Sequence, residues 1–199
     1  MLAGVQRMYY TEIYMDASFK KTLLIVIASA AGLVLLLAVV LLLFFNGQYD
    51  RYQDDQYKFS IKYPKTWRVV RHPQANVAVI FVRPKDTKMD PVRENFNVTI
   101  QPVPTTLLSL PTFSAKIKEQ MTAVFGNKIQ IGEDKPLQWG WRQGHMIVFK
   151  APKPDHLVMV NAWVLKSDQA YILTFIGDLN KYTQDAPVVD GMIRSLELQ

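Results

Sequence analysis

Residues 23–45 form one unbroken apolar run, with no charge, no proline and only Ser29 carrying a hydroxyl. No other segment restricts the chain as severely. At about 1.5 Å per residue the run predicts a helix of about 34 Å, enough to cross a hydrocarbon core of about 30 Å. Seventeen of its residues are Leu, Ile, Val or Phe. At about 0.3–0.6 kcal/mol each near the bilayer centre, they favour insertion by about 5–10 kcal/mol. A buried helix of a soluble protein is seldom apolar all round over this length. A cleaved signal peptide fits less well, because the run exceeds an h-region of about 7–15 residues. Nor does Phe44-Phe45-Asn46-Gly47 offer a small-x-small cleavage site. The expectation is a retained single-pass anchor.

Arg7, Lys20 and Lys21 precede the run, and the last two abut it, whereas Arg51 is the nearest cation after it. Counted by positive residues, the N-terminus is expected in the cytoplasm of a bacterial inner or thylakoid-type membrane, with the remainder in a periplasm or lumen. The predicted division is a cytoplasmic segment 1–22, a transmembrane helix 23–45, a polar tether 46–56 and an extracytoplasmic domain 57–199. In the first segment Leu2, Val5, Tyr9 and Ile13 fall at helical spacing. That suits either a helix lying on the membrane surface or a frayed tail with tyrosines near headgroups. Within the run, Ala28 and Gly32 stand four apart in a cluster of small residues, so a neighbouring helix could approach closely there.

Beyond the tether the pattern changes to period two. Phe59, Ile61 and Tyr63 alternate with Lys58, Ser60 and Lys62, and Phe96, Val98 and Ile100 alternate with Asn97, Thr99 and Gln101. Both stretches predict half-buried strands. Further strands are expected at 67–71, 76–82, 128–139, 145–151, 156–166 and 170–177. Phe113, Ile117, Met121 and Val124 recur at three and four, between Pro111-Thr112 and Gly126, which predicts a helix. A second helix is expected near 185–195. The strand at 156–166 is apolar on both faces, with Leu157, Met159 and Trp163 on one and Val158, Val160 and Val164 on the other. Such a strand must be covered on both sides. The economical arrangement is α+β, an α/β/α sandwich with a central antiparallel sheet between two helices.

Little in the chain points to catalysis. Cysteine is absent, which excludes lipidated-cysteine anchors, thiolate zinc sites, iron–sulfur clusters and cysteine nucleophiles. No Gly-x-Ser-x-Gly elbow, phosphate-cradling glycine loop or His-Glu-x-x-His occurs. No cofactor is expected, and no catalytic residue is assigned. His145 and His156, with Asp155 adjacent, are the pair that a hairpin could bring onto a metal. The alternative is ordinary strand and turn histidines. The net charge is +6, and Lys58, Lys62, Lys65, Arg68 and Arg71 cluster around the first strands, followed by Arg83, Lys85, Lys88 and Arg93. This basic face suits anionic lipid headgroups or an acidic partner surface, or simply a solvated surface. Nucleic acid is not an expected partner, because the topology places the face outside the cell interior and no stacking-aromatic motif accompanies it.

Several strings resemble the PsbP family, the extrinsic photosystem II subunits, and the wider PsbP-like and DcrB-like bacterial envelope proteins. They are residues 57–67 (YKFSIKYPKTW), 97–103 (NVTIQPV) leading to 108–110 (LSL), the paired strands over 144–175, and 192–198 (MIRSLEL). The last resembles the family's terminal helix and short strand. The resemblance covers about residues 56–199 and implies a PsbP-like fold and a place in a larger assembly. PsbP-like proteins have also been considered metal-associated. Plant PsbP is a soluble lumenal protein, whereas this chain carries the apolar run.

Together these readings predict a non-enzymatic, single-pass accessory, assembly or stabilising subunit of a larger membrane complex. Its partners would be the bilayer and other membrane subunits, on whose outward face the domain docks. The alternative is a free-standing membrane-anchored envelope protein that binds a small ligand or metal in a cleft beside the sheet.

Overall fold

The computed structural model describes residues 26–27, 29–37, 47–84, 93–126, 129–151 and 156–199. The chain divides into two compact units, Met1–Gly47 and Gln48–Gln199. In the first unit residues 29–37 are helical. Val26, Ile27, Leu33, Val34, Leu35, Leu36 and Leu37 are each more than half exposed. Among the described residues no helix is long and apolar enough to cross a membrane. The cytoplasmic segment 1–22, Ala28 and the rest of the 23–45 run lie outside the described residues.

The second unit is α+β. Its first five strands are β1 (Tyr49–Asp54), β2 (Phe59–Pro64), β3 (Arg68–Gln74), β4 (Val77–Val82) and β5 (Asn95–Pro102). A 3₁₀ turn at Thr105–Leu107 leads into α1 (Leu110–Phe125). Four long strands follow: β6 (Gln130–Trp139), β7 (Arg142–Ala151), β8 (Leu157–Lys166) and β9 (Gln169–Asp178). The domain closes with α2 (Tyr182–Arg194) and β10 (Glu197–Leu198). The strands form a seven-stranded antiparallel sheet, ordered β3-β4-β5-β9-β8-β7-β6, and a three-stranded sheet, β1-β2-β10.

The polar stretch expected to be a tether is corrected by this arrangement. Tyr49–Asp54 is a strand paired along its length with β2, and its buried positions are Tyr52 and Asp54. A carboxylate at an inward position disguises the alternation that would have marked a strand. The β6–β7 turn is also tighter than expected, with only Gly140 and Trp141 between the strands. Gly140 takes φ +57°, a conformation that glycine adopts without penalty.

The two-sided apolar strands divide the core between the faces of the large sheet. Val158, Val160, Ala162 and Val164 of β8 join Tyr171, Leu173 and Phe175 of β9 on one face. There the small sheet and α2 cover them, through an aromatic layer in which Phe81 stacks on Tyr63 at 4.7 Å and meets Tyr52 edge-on at 5.8 Å. Trp163, Ile147 and Phe149 lie on the other face with Phe113 of α1. Ser109 caps α1 by accepting a hydrogen bond from the Thr112 N–H, and Gly126 ends it at φ +58°.

Both edges of the large sheet are blunted against pairing with another chain. Each edge strand carries a proline, Pro73 in β3 and Pro136 in β6. Each also has a register shift, between Arg71 and Gln74 and between Ile131 and Glu133. Proline and bulges interrupt the row of ladder groups that an intruding strand would need.

Candidate functional site

The sheet register separates the two histidines proposed as a metal pair. His145 lies opposite Trp163, while Ala151 lies opposite Leu157, next to His156. Six residues of strand therefore intervene, about 20 Å at a strand's rise, so the pair cannot share an ion. Asp155 lies outside the described residues. Among the described residues no group of three or more His, Cys, Asp or Glu could hold a metal.

His145 has a different setting. It stacks on Trp163 at 5.2 Å, and its Nε2 is 2.5 Å from the Asp134 carboxylate, whose second oxygen accepts from Lys118 Nζ. The Lys118 bond, assisted by His145, holds the Asp134 carboxyl below its usual range. Beneath, the buried Trp163 Nε1 donates to Ser114 Oγ at 3.0 Å. Lys118 and Ser114 belong to α1, whereas the other residues belong to β6, β7 and β8. The cluster is a polar clamp that fixes the helix on the sheet.

A second cluster joins the two sheets. Asp54 is 2% exposed. It accepts hydrogen bonds from the Gln56 and Tyr57 N–H groups and from the Tyr52 hydroxyl, the last at 2.8 Å. His72 Nε2 lies 3.3 Å from it, and the His72 ring stacks on Tyr57 at 6.0 Å. Burial, with the Asp54 bond adding to it, pushes the Tyr52 phenol far above its ordinary range. The side-chain bonds of this carboxylate all serve to close the β1–β2 turn and hold it to β3. At the opposite end of the domain Arg83 pairs with Asp185, and Glu94 lies 4.0 Å from Lys181, tying the ends of β4 and β5 to α2.

The basic residues singled out in the sequence do not share one surface element. Lys58 lies in the β1–β2 turn at φ +54°, Lys62 on β2 of the small sheet and Lys65 in the following turn, while Arg68 and Arg71 lie on β3 of the large sheet. All five are exposed. Arg71 is partly engaged, its guanidinium 5.0 Å above the Tyr52 ring. Lys85 and Lys88 lie outside the described residues, as does Ala28, whereas Gly32 is helical and an added Cβ there would meet nothing within 4 Å.

A cleft of about 570 Å³ runs between α2 and the β6 side of the sheet. Met146, Val160 and Val189 contribute to its lining with Tyr182, and two ion pairs border it, Glu133–Lys135 at 2.7 Å and Asp190–Arg194 at 2.6 Å. Burial, with Glu133 and Asp190 nearby, pushes the Tyr182 phenol up to about 12. A cleft beside the sheet is the alternative raised from the sequence, but local pattern could not place it, because its walls come from residues about fifty positions apart. At the far end of the β6–β7 hairpin Trp141 is 78% exposed, a feature that the turn pattern located without marking as a contact surface.

No family model matches the chain, and no curated protein matches it in sequence. Its likeness is to solved structures. The solution structure of cyanobacterial PsbP from Synechocystis sp. PCC 6803 has a TM-score of 0.58 at 13% identity, covering 76% of this chain and 93% of that one. The Ran-binding protein Mog1p of Saccharomyces cerevisiae has a TM-score of 0.53 at 11% identity, covering 75% and 95%. LpqN of Mycobacterium tuberculosis, involved in cell envelope biogenesis, has a TM-score of 0.53 at 9% identity, covering 76% and 91%. At such identities the likeness concerns the fold.

Proposed function

Taking the PsbP-like fold as the premise, we propose that this chain is a membrane-anchored, non-enzymatic accessory subunit that binds other proteins of a larger complex. The observation that carries the reading is the joining of an apolar 23–45 run to a domain whose two most connected polar clusters, around Asp54 and Asp134, hold elements together. Seven large apolar side chains between Val26 and Leu37 are more than half exposed, and lipid or a neighbouring helix would cover them. Tethering raises the effective concentration of the domain near its partners, so a modest interface suffices. Mog1p, a protein of similar fold, is itself a binding protein, which favours binding over turnover for the domain here.

The test is extraction of the full chain in mild detergent followed by native electrophoresis. Migration with larger partners is expected, and a clean monomer would count against the subunit reading. Ala28→Ile with Gly32→Ile should loosen the association if the small-residue face meets another helix. An impermeant label that reaches an engineered cysteine at position 1 but never one at position 62 in intact cells would reverse the topology.

The α2 cleft favours a second reading, because about 570 Å³ falls within the range of small-molecule sites. In that case a ligand would raise the melting temperature of the protein, and Ala186→Trp, at a half-buried position lining the cleft, would abolish the rise.

A further inference from the structure

We propose that the tip of the β6–β7 hairpin, Trp141 with Arg142, is the surface by which the domain docks on an acidic segment of a partner protein. The inference rests on the accessory-subunit reading and names its contact. Trp141 is the most exposed large apolar side chain among the described residues. A single exposed apolar residue needs no explanation by itself. This one is distinguished by the contacts that brace it.

Gln138 Nε2 donates to the Gly140 carbonyl at 2.8 Å inside the turn. The Arg142 guanidinium lies 4.0 Å from the centre of the Trp141 ring. Below the tip, Trp139 is buried, and its Nε1 donates to the Ile193 carbonyl at 2.7 Å, fastening the hairpin to α2. Gly144 leaves the room that the Trp139 ring occupies. An indole and a guanidinium held this way lose little conformational freedom on binding. They are also the residue types that dominate interface energetics.

The surroundings select the partner. A depression of about 250 Å³ beside the tip is completed by Leu196, Glu197 and Leu198. The next residue, Gln199, donates its N–H to the Lys58 carbonyl and accepts from Lys166 Nζ, and both lysines line the adjoining depression around the β8–β9 turn. Glu197 is already engaged by Arg51 through two bonds of 2.8 and 3.0 Å. The residues lining this depression and the adjoining one include three cations, Arg142, Lys58 and Lys166, the last bonded to Gln199, and among their acids only Asp168 lacks an arginine clasp. A second copy of the chain would bring like charges together, which opposes association. The chain enters the domain at the opposite end of the sheets, where Tyr49 pairs with Pro64 ahead of β3. An acidic protein segment with an apolar residue for the indole is the complementary occupant.

The experiment uses the full chain in its native membranes, with a benzophenone side chain introduced at the exposed position 143, which leaves Trp141 and Arg142 in place, and, separately, Trp141→Ala and Arg142→Glu. Light should join position 143 to another protein, at a peptide rich in Asp or Glu, and peptide mapping reads that site. Trp141→Ala should lower the partner-bound fraction on native electrophoresis at least about tenfold. Arg142→Glu should do the same, with the melting temperature unchanged in both. Adducts confined to lipid, to a second copy or to a non-acidic peptide would overturn the proposal, as would no adduct at all. Undiminished migration of both variants with a partner that wild type also binds would overturn this surface alone. Wild type migrating by itself would remove the accessory reading together with it.

Discussion

The two faces of the seven-stranded sheet are covered by different means. One lies beneath the small sheet and α2, sealed by the aromatic layer of Tyr52, Phe59, Tyr63, Phe81 and Phe96. The other receives a single helix, α1, which reaches over Ile147, Phe149 and Trp163. Toward β5 that face turns polar and half-buried, with Thr174 Oγ1 donating to Asn161 Oδ1 at 2.7 Å and Asn97 and Thr99 beyond. Two layers packed through rings can hold a face by apolar burial alone. One helix at the margin relies also on directed polar contacts, here Lys118–Asp134–His145 and Trp163–Ser114. The same strands therefore contribute to one side closed by apolar layers and another held also by polar contacts, and the second is expected to open more readily.

The largest test of that contrast is a pair of truncations. Phe81→Ala, at a fully buried site ringed by other aromatics, should cost about 3–5 kcal/mol in denaturant unfolding. Phe113→Ala on α1 should fall at the low end of that range, because a marginal helix can shift to fill the space. Equal costs would break the comparison. In hydrogen exchange, α1 amides should open at lower free energy than those of β8 and β9.

The sealed side nevertheless contains buried carboxylates, and Asp54→Ala should cost about 2–3 kcal/mol by leaving the buried Tyr52 hydroxyl and two turn N–H groups without their acceptor. An unchanged melting temperature would show that water replaces the carboxylate.

On the α1 side, pH gives a smaller and more specific signal. The Asp134 pKa is depressed in the folded state. Its contribution is therefore present above the ordinary aspartate value of about 4 and is lost as pH falls through the lower folded value. Acid titration followed by helical circular dichroism should show this loss, and Asp134→Asn should remove it. Parallel acid limbs in the two proteins would dismiss the clamp. The smallest effect is expected from Arg51→Ala, at most about 1 kcal/mol and reduced by salt, since the Arg51–Glu197 pair is about half exposed on both sides.

Much of this framework is legible in the chain. The alternation of Phe96, Val98 and Ile100 places β5, the apolar character of both faces of β8 demands two covering layers, and Gly126 marks the end of α1. Other features are hidden for physical reasons. β1 buries a carboxylate, which reads as a polar linker until its hydrogen-bond donors are seen. His145 and His156 look adjacent across a turn, yet the antiparallel register sets them at opposite ends of the hairpin. The five cations near the first strands are divided between the small sheet with its turns and the large sheet because Arg68 begins a new layer.

What the sequence determines by itself is what depends on neighbours along the chain: the apolar run, the strand and helix periods, the caps, and the absence of thiol chemistry. Only the tertiary structure decides which side chains from distant segments share a surface. The aromatic seal, the polar clamp and the braced Trp141 tip each draw on at least two elements far apart in sequence, and their geometry depends on sheet register. Register is a collective property of the whole fold, since shifting a strand by one residue exchanges its inner and outer faces.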